Sequence, residues 1–190
     1  MIVGDPAQFA IESGISTVST RASIRAIGFF NIHIDGCRYG INAPDSSALA
    51  CSFDEVERRI AHRGSHVAPP LVELDAGPIA GAVRSALYGE EERELYCGLS
   101  LAAFLDLVYH NHLLWAPDGD EAFDDGSYVL QFDLGNQVRL IGFKSHPEFA
   151  YDHSSLREWR MEQTWFYEIL EQWLIVFEKE RLSLLDTRID

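Results

Sequence analysis

From Ser23 to Ile34 the chain alternates, with Ile24, Ala26, Gly28, Phe30, Ile32 and Ile34 falling on one side. A period of two turns successive side chains to opposite faces, so this segment predicts a strand with one face in the core. Asp35-Gly36 follows at once. That pair favours a two-residue hairpin turn in which both residues take positive φ, and Cys37 to Ile41 is expected to return as the partner strand. A shorter apolar segment, Gln8 to Glu12, reads as a strand after Gly4-Asp5-Pro6. Ser127 to Asp133 and Gln137 to Lys144 alternate in the same way across Leu134-Gly135-Asn136 and predict a second hairpin. Leu71 to Asp75 reads as one more strand, after a turn or extended stretch at His66 to Pro70, where each proline removes a backbone donor.

Helical spacing takes over elsewhere. Ser52-Phe53-Asp54-Glu55 has the form of a capping box and opens a helix that ends near Arg63-Gly64, after a loop-like stretch from Ala43 to Ser52. Pro78 fits the first turn of a helix that runs to Tyr88 and stops at Gly89. Ser100 caps a helix from Leu101 to Asn111, with Leu101, Phe104, Leu105 and Val108 on its buried face. From Ser154 onward, Leu156, Trp159, Gln163, Phe166, Leu170, Trp173 and Phe177 step by threes and fours and predict the longest helix, laid across the sheet by its aromatic stripe. The order of elements predicts a single α+β domain over residues 1–190, mainly antiparallel sheet packed against helices that include a long C-terminal aromatic one.

Composition narrows the function classes. A chain of 190 residues, 47% of them hydrophobic, buries roughly two-thirds of its unfolded surface and needs neither metal nor disulfide to fold. The three cysteines, Cys37, Cys51 and Cys97, are odd in number and lack metal-ligand spacing, so they read as reduced, packed thiols of a cytoplasmic protein. The opening MIVGDPAQFAIES has no basic region before an apolar run, and no stretch of 18 apolar residues occurs, so neither export nor a membrane span is expected. Thirty acidic residues face 15 Lys and Arg, a net charge of -15. Such a surface repels nucleic acid and anionic lipid and attracts basic proteins, so neither nucleic acid nor membrane is an expected partner. The charge is densest in WAPDGDEAFDDGSY, Trp115 to Tyr128, where Asp118, Asp120, Glu121, Asp124 and Asp125 have no basic residue among them; Glu90 to Glu94 forms a second charged patch.

Several short motifs suggest chemistry that their spacing or context does not support. His110-Asn111-His112 matches a metal-nuclease tripeptide, but it follows an apolar helix rather than lying in the ββα frame such a metal site needs. The acidic loop fails the calcium-loop register, since Phe123 stands where the turn needs Gly and Val129 where a bidentate Glu belongs. Gly98-Leu99-Ser100-Leu101-Ala102 lacks the closing Gly of a nucleophile elbow, and no Gly-rich phosphate loop is present, so no cofactor and no metal are expected. Glu158, Glu162 and Glu168 interleave with Arg157 and Arg160 as the outer face of an amphipathic helix. At about 100° per residue, Trp159, Trp165 and Trp173 cannot share a face, and Trp165 is the one expected in solvent, where it suits a protein interface or a peripheral packing role. A metal-dependent hydrolase built on residues 110 to 125 and a scaffold that dimerises through its aromatic helix are the competing readings.

The segments MIVGDPAQFAIES and GFFNIHIDGCRYG, together with the long aromatic C-terminal helix, resemble bacterial immunity proteins of polymorphic and contact-dependent growth inhibition toxin systems. The similarity is clearest over residues 2–41. It implies a cytoplasmic protein, not an enzyme, that binds and neutralises a cognate toxin C-terminal domain. Many toxins of such systems are nucleases with basic clefts, which agrees with the acidic charge. The resembling motifs are turns and carry no toxin-binding residue, so the candidates come from charge and exposure: Asp118, Asp120, Glu121, Asp124, Asp125 and Trp165.

Overall fold

A computed structural model describes residues 1–89, 93–115, 120–148 and 151–187. The first antiparallel sheet runs β1 (Ile2–Asp5), β2 (Phe9–Val18), β3 (Ala26–Ile34), β4 (Cys37–Tyr39), with β5 (Ser47–Ala48) also paired to β3. The β3–β4 hairpin turns on Asp35 and Gly36 at φ 48° and 73°, as the Asp-Gly pair predicts. Gly4-Asp5-Pro6 leads through a turn into β2, as expected, and also ends the unexpected strand β1. β2 continues well past Glu12, with a bulge between Ile15 and Thr17 that leaves Ser16 to donate to the Ile27 carbonyl and to Asp45.

The second sheet is β6 (Ser127–Leu134), β7 (Gln137–Lys144) and β8 (Arg157–Glu162) in that order. Its first hairpin closes at Leu134 and Gln137 with Gly135 at φ 67°, in the predicted place. β8 corrects the expected helix from Ser154. Residues 157–162 also alternate, with Trp159 and Met161 as the apolar positions, and pairing along β7 wins over the helical reading. Helix begins only at α4 (Gln163–Asp186).

Two further expectations are corrected. Leu71 to Asp75 forms no strand; a 3-10 turn covers Pro69–Leu71. The buried Arg139 guanidinium of β7 then donates to the carbonyls of Leu71, Val72 and Leu74 at 3.4, 3.1 and 2.8 Å. One side chain thus satisfies backbone that a partner strand would otherwise have to pair. α1 (Leu49–Ala61) starts earlier than the capping box implied, because β5 runs straight into it. Ser52 lies inside this helix, buried, and Glu55 turns to Arg58 and Arg59. The other two helices match expectation more closely. α2 (Ala76–Tyr88) ends on left-handed Gly89. α3 (Leu101–His110) is capped by Ser100, whose hydroxyl accepts from the Ala103 N–H; Phe104 and Val108 are buried, while Leu101 stays in solvent.

α4 covers the first sheet. Phe166 packs on Phe9 at 4.9 Å between ring centroids, Trp173 meets Phe30 edge-on at 5.1 Å, and Phe177 packs on Phe53 of α1 at 5.6 Å. The Trp173 indole N–H donates to the Ser13 hydroxyl at 3.0 Å, so the largest buried ring also has its polar atom satisfied. α2 and α3 pack on the second sheet, where Ile79, Val83, Phe104 and Val108 join Leu130, Phe132, Ile141 and Phe143. The cysteines are free, but Cys51 is exposed, against the expectation of packed thiols. Among the described residues, no helix is long and apolar enough to cross a membrane.

Candidate functional site

The acidic loop leads into β6 of the second sheet and packs against the first, and its carboxylates do different things. Asp118 and residues Glu90 to Glu92 of the second charged patch lie outside the described residues. Asp120 is only 7% exposed. It accepts from the Ala122 N–H at 3.0 Å, which caps a 3-10 turn over Glu121–Phe123, and from the hydroxyls of Ser52 of α1 at 3.0 Å and Ser47 of β5 at 3.4 Å. Burial pushes its carboxyl above the usual carboxylate range, and the three hydrogen bonds pull it part of the way back. Asp125 accepts from the Ser127 N–H at 3.1 Å and pairs with Lys144 at 2.7 Å. Ala122, fully buried, accepts from the Ile41 N–H at 2.8 Å, and Phe123 stands edge-on to Phe30. The described part of the loop is therefore anchored to both sheets.

Glu121 and Asp124 remain exposed, and among the described residues neither is paired with a cation. They line an open cleft with Ile41, Pro44 and Asp45. Asp45 was not legible as a partner of the loop, because only the β5–β3 pairing brings its segment there. Among the described residues, Asp45, Glu121 and Asp124 thus form an exposed acidic shelf, while Asp120 and Asp125 hold the loop in place.

Trp165 lies in the first turn of α4 and is 55% exposed, as expected, and Trp173 on the same helix is fully buried; Trp159 is half-buried on β8, where the helical offset that separated it from Trp165 does not apply. Trp165 opens a cleft with Gly4, Asp5, Gln8, Phe9, Met161 and Ile169. That cleft and the acidic shelf share no lining residue, so the structure does not bring Trp165 to the loop.

The groups that suggested chemistry serve the backbone. Asn111 caps α3 and its amide donates to the Val67 carbonyl at 2.9 Å, while the carbonyls of Asn111 and His112 face Nδ1 of buried His66 at 3.2 and 3.1 Å. Among the described residues, no three His, Cys, Asp or Glu side chains are arranged to hold a metal ion. A buried polar seam that sequence patterning missed joins α1, β6 and α4. Arg59 pairs with Glu55 at 2.8 Å, donates to Gln131 at 3.0 Å and stacks on Trp115, while the Tyr167 hydroxyl donates to Asp133. Its members lie far apart in sequence, and each reads alone as an ordinary surface residue.

The crystal structure of CdiI from Burkholderia dolosa AUO158 has a similar fold, with a TM-score of 0.56 and 15% sequence identity over 92% of this chain and 99% of that one. No curated protein matches the chain in sequence. The metal-dependent hydrolase at residues 110 to 125 finds no support in the geometry or in these likenesses. The family model of immunity protein 42 matches residues 1–175, and the chain belongs to that family: it is an immunity protein, which acts by binding a toxin protein and neutralising it.

Proposed function

We propose that the toxin is a basic domain, captured in the cytoplasm, and that the shelf of Asp45, Glu121 and Asp124 is a surface that meets it. The observation that carries this reading is the exposure of Glu121 and Asp124 without a cationic partner, on a loop anchored at Asp120, Ala122 and Asp125. Carboxylates held out on a rigid support lose little conformational freedom on meeting a cation. With a net charge of -15 they steer a basic partner, and such steering raises association toward about 10⁸ to 10⁹ M⁻¹s⁻¹ at low salt. The same charge opposes nucleic acid and anionic membranes. Where the toxin is a nuclease, an acidic shelf takes the place of its substrate's phosphates. Exposed Trp165 supplies an apolar anchor at the second cleft, of the kind that dominates binding energy in protein interfaces.

The test is a Glu121→Gln/Asp124→Asn double variant, which spares the anchoring carboxylates. Binding to the cognate toxin domain is expected to show an association rate roughly tenfold lower at low salt, with the dissociation rate little changed and the difference closing as salt is raised. An association rate at low salt equal to that of the unaltered protein would refute the shelf.

A further inference from the structure

The outer edge of β1 is open. Met1 and Ser13 bond each other in both directions, Ser13 N–H to the Met1 carbonyl at 3.0 Å and Met1 N to the Ser13 carbonyl at 2.5 Å. Hydrogen-bonded and non-bonded pairs alternate along an antiparallel ladder, so the next bonded pairs are Val3 with Ile11 and Asp5 with Phe9. Ile2 and Gly4 therefore turn their N–H and C=O groups away from β2. Among the described residues no strand lies on that side, and both residues are exposed, Ile2 at 53%. Lysine and proline, residues that commonly block such an edge, are missing from Ile-Val-Gly-Asp; the strand's shortness, the charge of Asp5 and the positive φ of Gly4 (98°) limit it without closing it.

The edge also adjoins the Trp165 cleft, since Gly4 and Asp5 line that cleft with Trp165, Met161 and Ile169. Backbone groups awaiting partners thus stand beside an exposed apolar ring, the two components of recognition by strand addition. We propose that an extended, cationic segment of the toxin adds as a strand along β1 and seats one of its alternate side chains on Trp165. Charge selects this occupant over a second copy of the chain. Two copies meeting edge to edge would bring together molecules of net charge -15, each with Asp5 exposed at the end of the strand. Glu162 and Glu168, exposed on either side of Trp165 in the sequence, favour Lys or Arg in the added segment, and nearby Arg160 is engaged by Glu158.

This inference rests on the reading that the chain binds a basic toxin domain, and one experiment separates the two. Amide exchange is followed by nuclear magnetic resonance in the free protein and in the protein saturated with its cognate toxin domain. Strand addition slows exchange at Ile2 and Gly4 by roughly tenfold or more, because both amides gain partners. An Ile2→Pro variant removes one outward donor at an edge position that tolerates proline, and weakens the complex by roughly fivefold, with an unchanged circular dichroism spectrum as the check on folding. A complex in which Ile2 and Gly4 exchange as fast as in the free protein overturns strand addition and leaves the acidic shelf standing. Failure of any complex to form overturns both.

Discussion

Asp120 belongs to the most acidic stretch of the chain and faces inward, because two hydroxyls and a backbone N–H wait for it between β5 and α1. Nothing in DGDEAFDDG separates it from Glu121 or Asp124, since a loop has no period to tell inside from outside. Trp165 was legible for the opposite reason: it shares a helix with Trp173, where an angular offset separates the ring in solvent from the buried one, although Trp159 lies on β8 and outside that comparison. An Asp120→Ala variant leaves all three donors unsatisfied and is expected to lose about 1–3 kcal/mol in urea unfolding. Asp120→Asn keeps an acceptor without a buried charge and should lose much less. Because burial raises the folded carboxyl above its unfolded value, ionisation costs stability as pH rises through the folded value. Asp120 therefore contributes stability on acidification from neutrality into the carboxylate range, and the unaltered protein should gain on the Asn variant by that increment as pH falls. Equal losses for Ala and Asn would contradict this account of the loop.

At the scale of elements, the segments with local chemistry were readable. Asp35-Gly36 fixed one hairpin and Gly135-Asn136 the other, while Ser100 and Gly89 marked helix ends. What failed depended on distant partners. Residues 157–162 carry both a helical and an alternating pattern, and β7 decides between them. Leu71 to Asp75 has strand-like composition, but Arg139 occupies its carbonyls from the side. This guanidinium also holds Glu158 by two bonds of 2.9 Å. Burial pushes the Glu158 carboxyl up, but the hydrogen bonds and charge of Arg139, with Arg160, outweigh it and hold the group below its ordinary value. That contribution is present above the unfolded carboxyl value and is lost as pH falls through the folded one. Arg139→Ala strips both the carboxylate and the loop carbonyls of their donor, and should cost about 2 kcal/mol or more in chemical denaturation. A loss under about 0.5 kcal/mol, the usual size of a surface substitution, would show that the loop holds its place without Arg139.

Across the whole molecule, charge sign and fold class could be read from the chain, because both are sums over many residues. The surface that the charge builds could not. Asp45 reaches Glu121 and Asp124 only because β5 pairs with β3, and the buried seam of Arg59, Gln131, Asp133 and Tyr167 closes only when α1, β6 and α4 meet. Family membership makes the molecule a toxin-binding protein, and the exposed carboxylates and the open strand edge are the two surfaces we propose for that task. The most direct measurement is survival. Cells induced to make the cognate toxin domain are grown with and without the chain co-expressed. Restored growth, with the two proteins recovered as one complex, is the expected result; continued growth arrest despite abundant folded chain would contradict its neutralising that toxin.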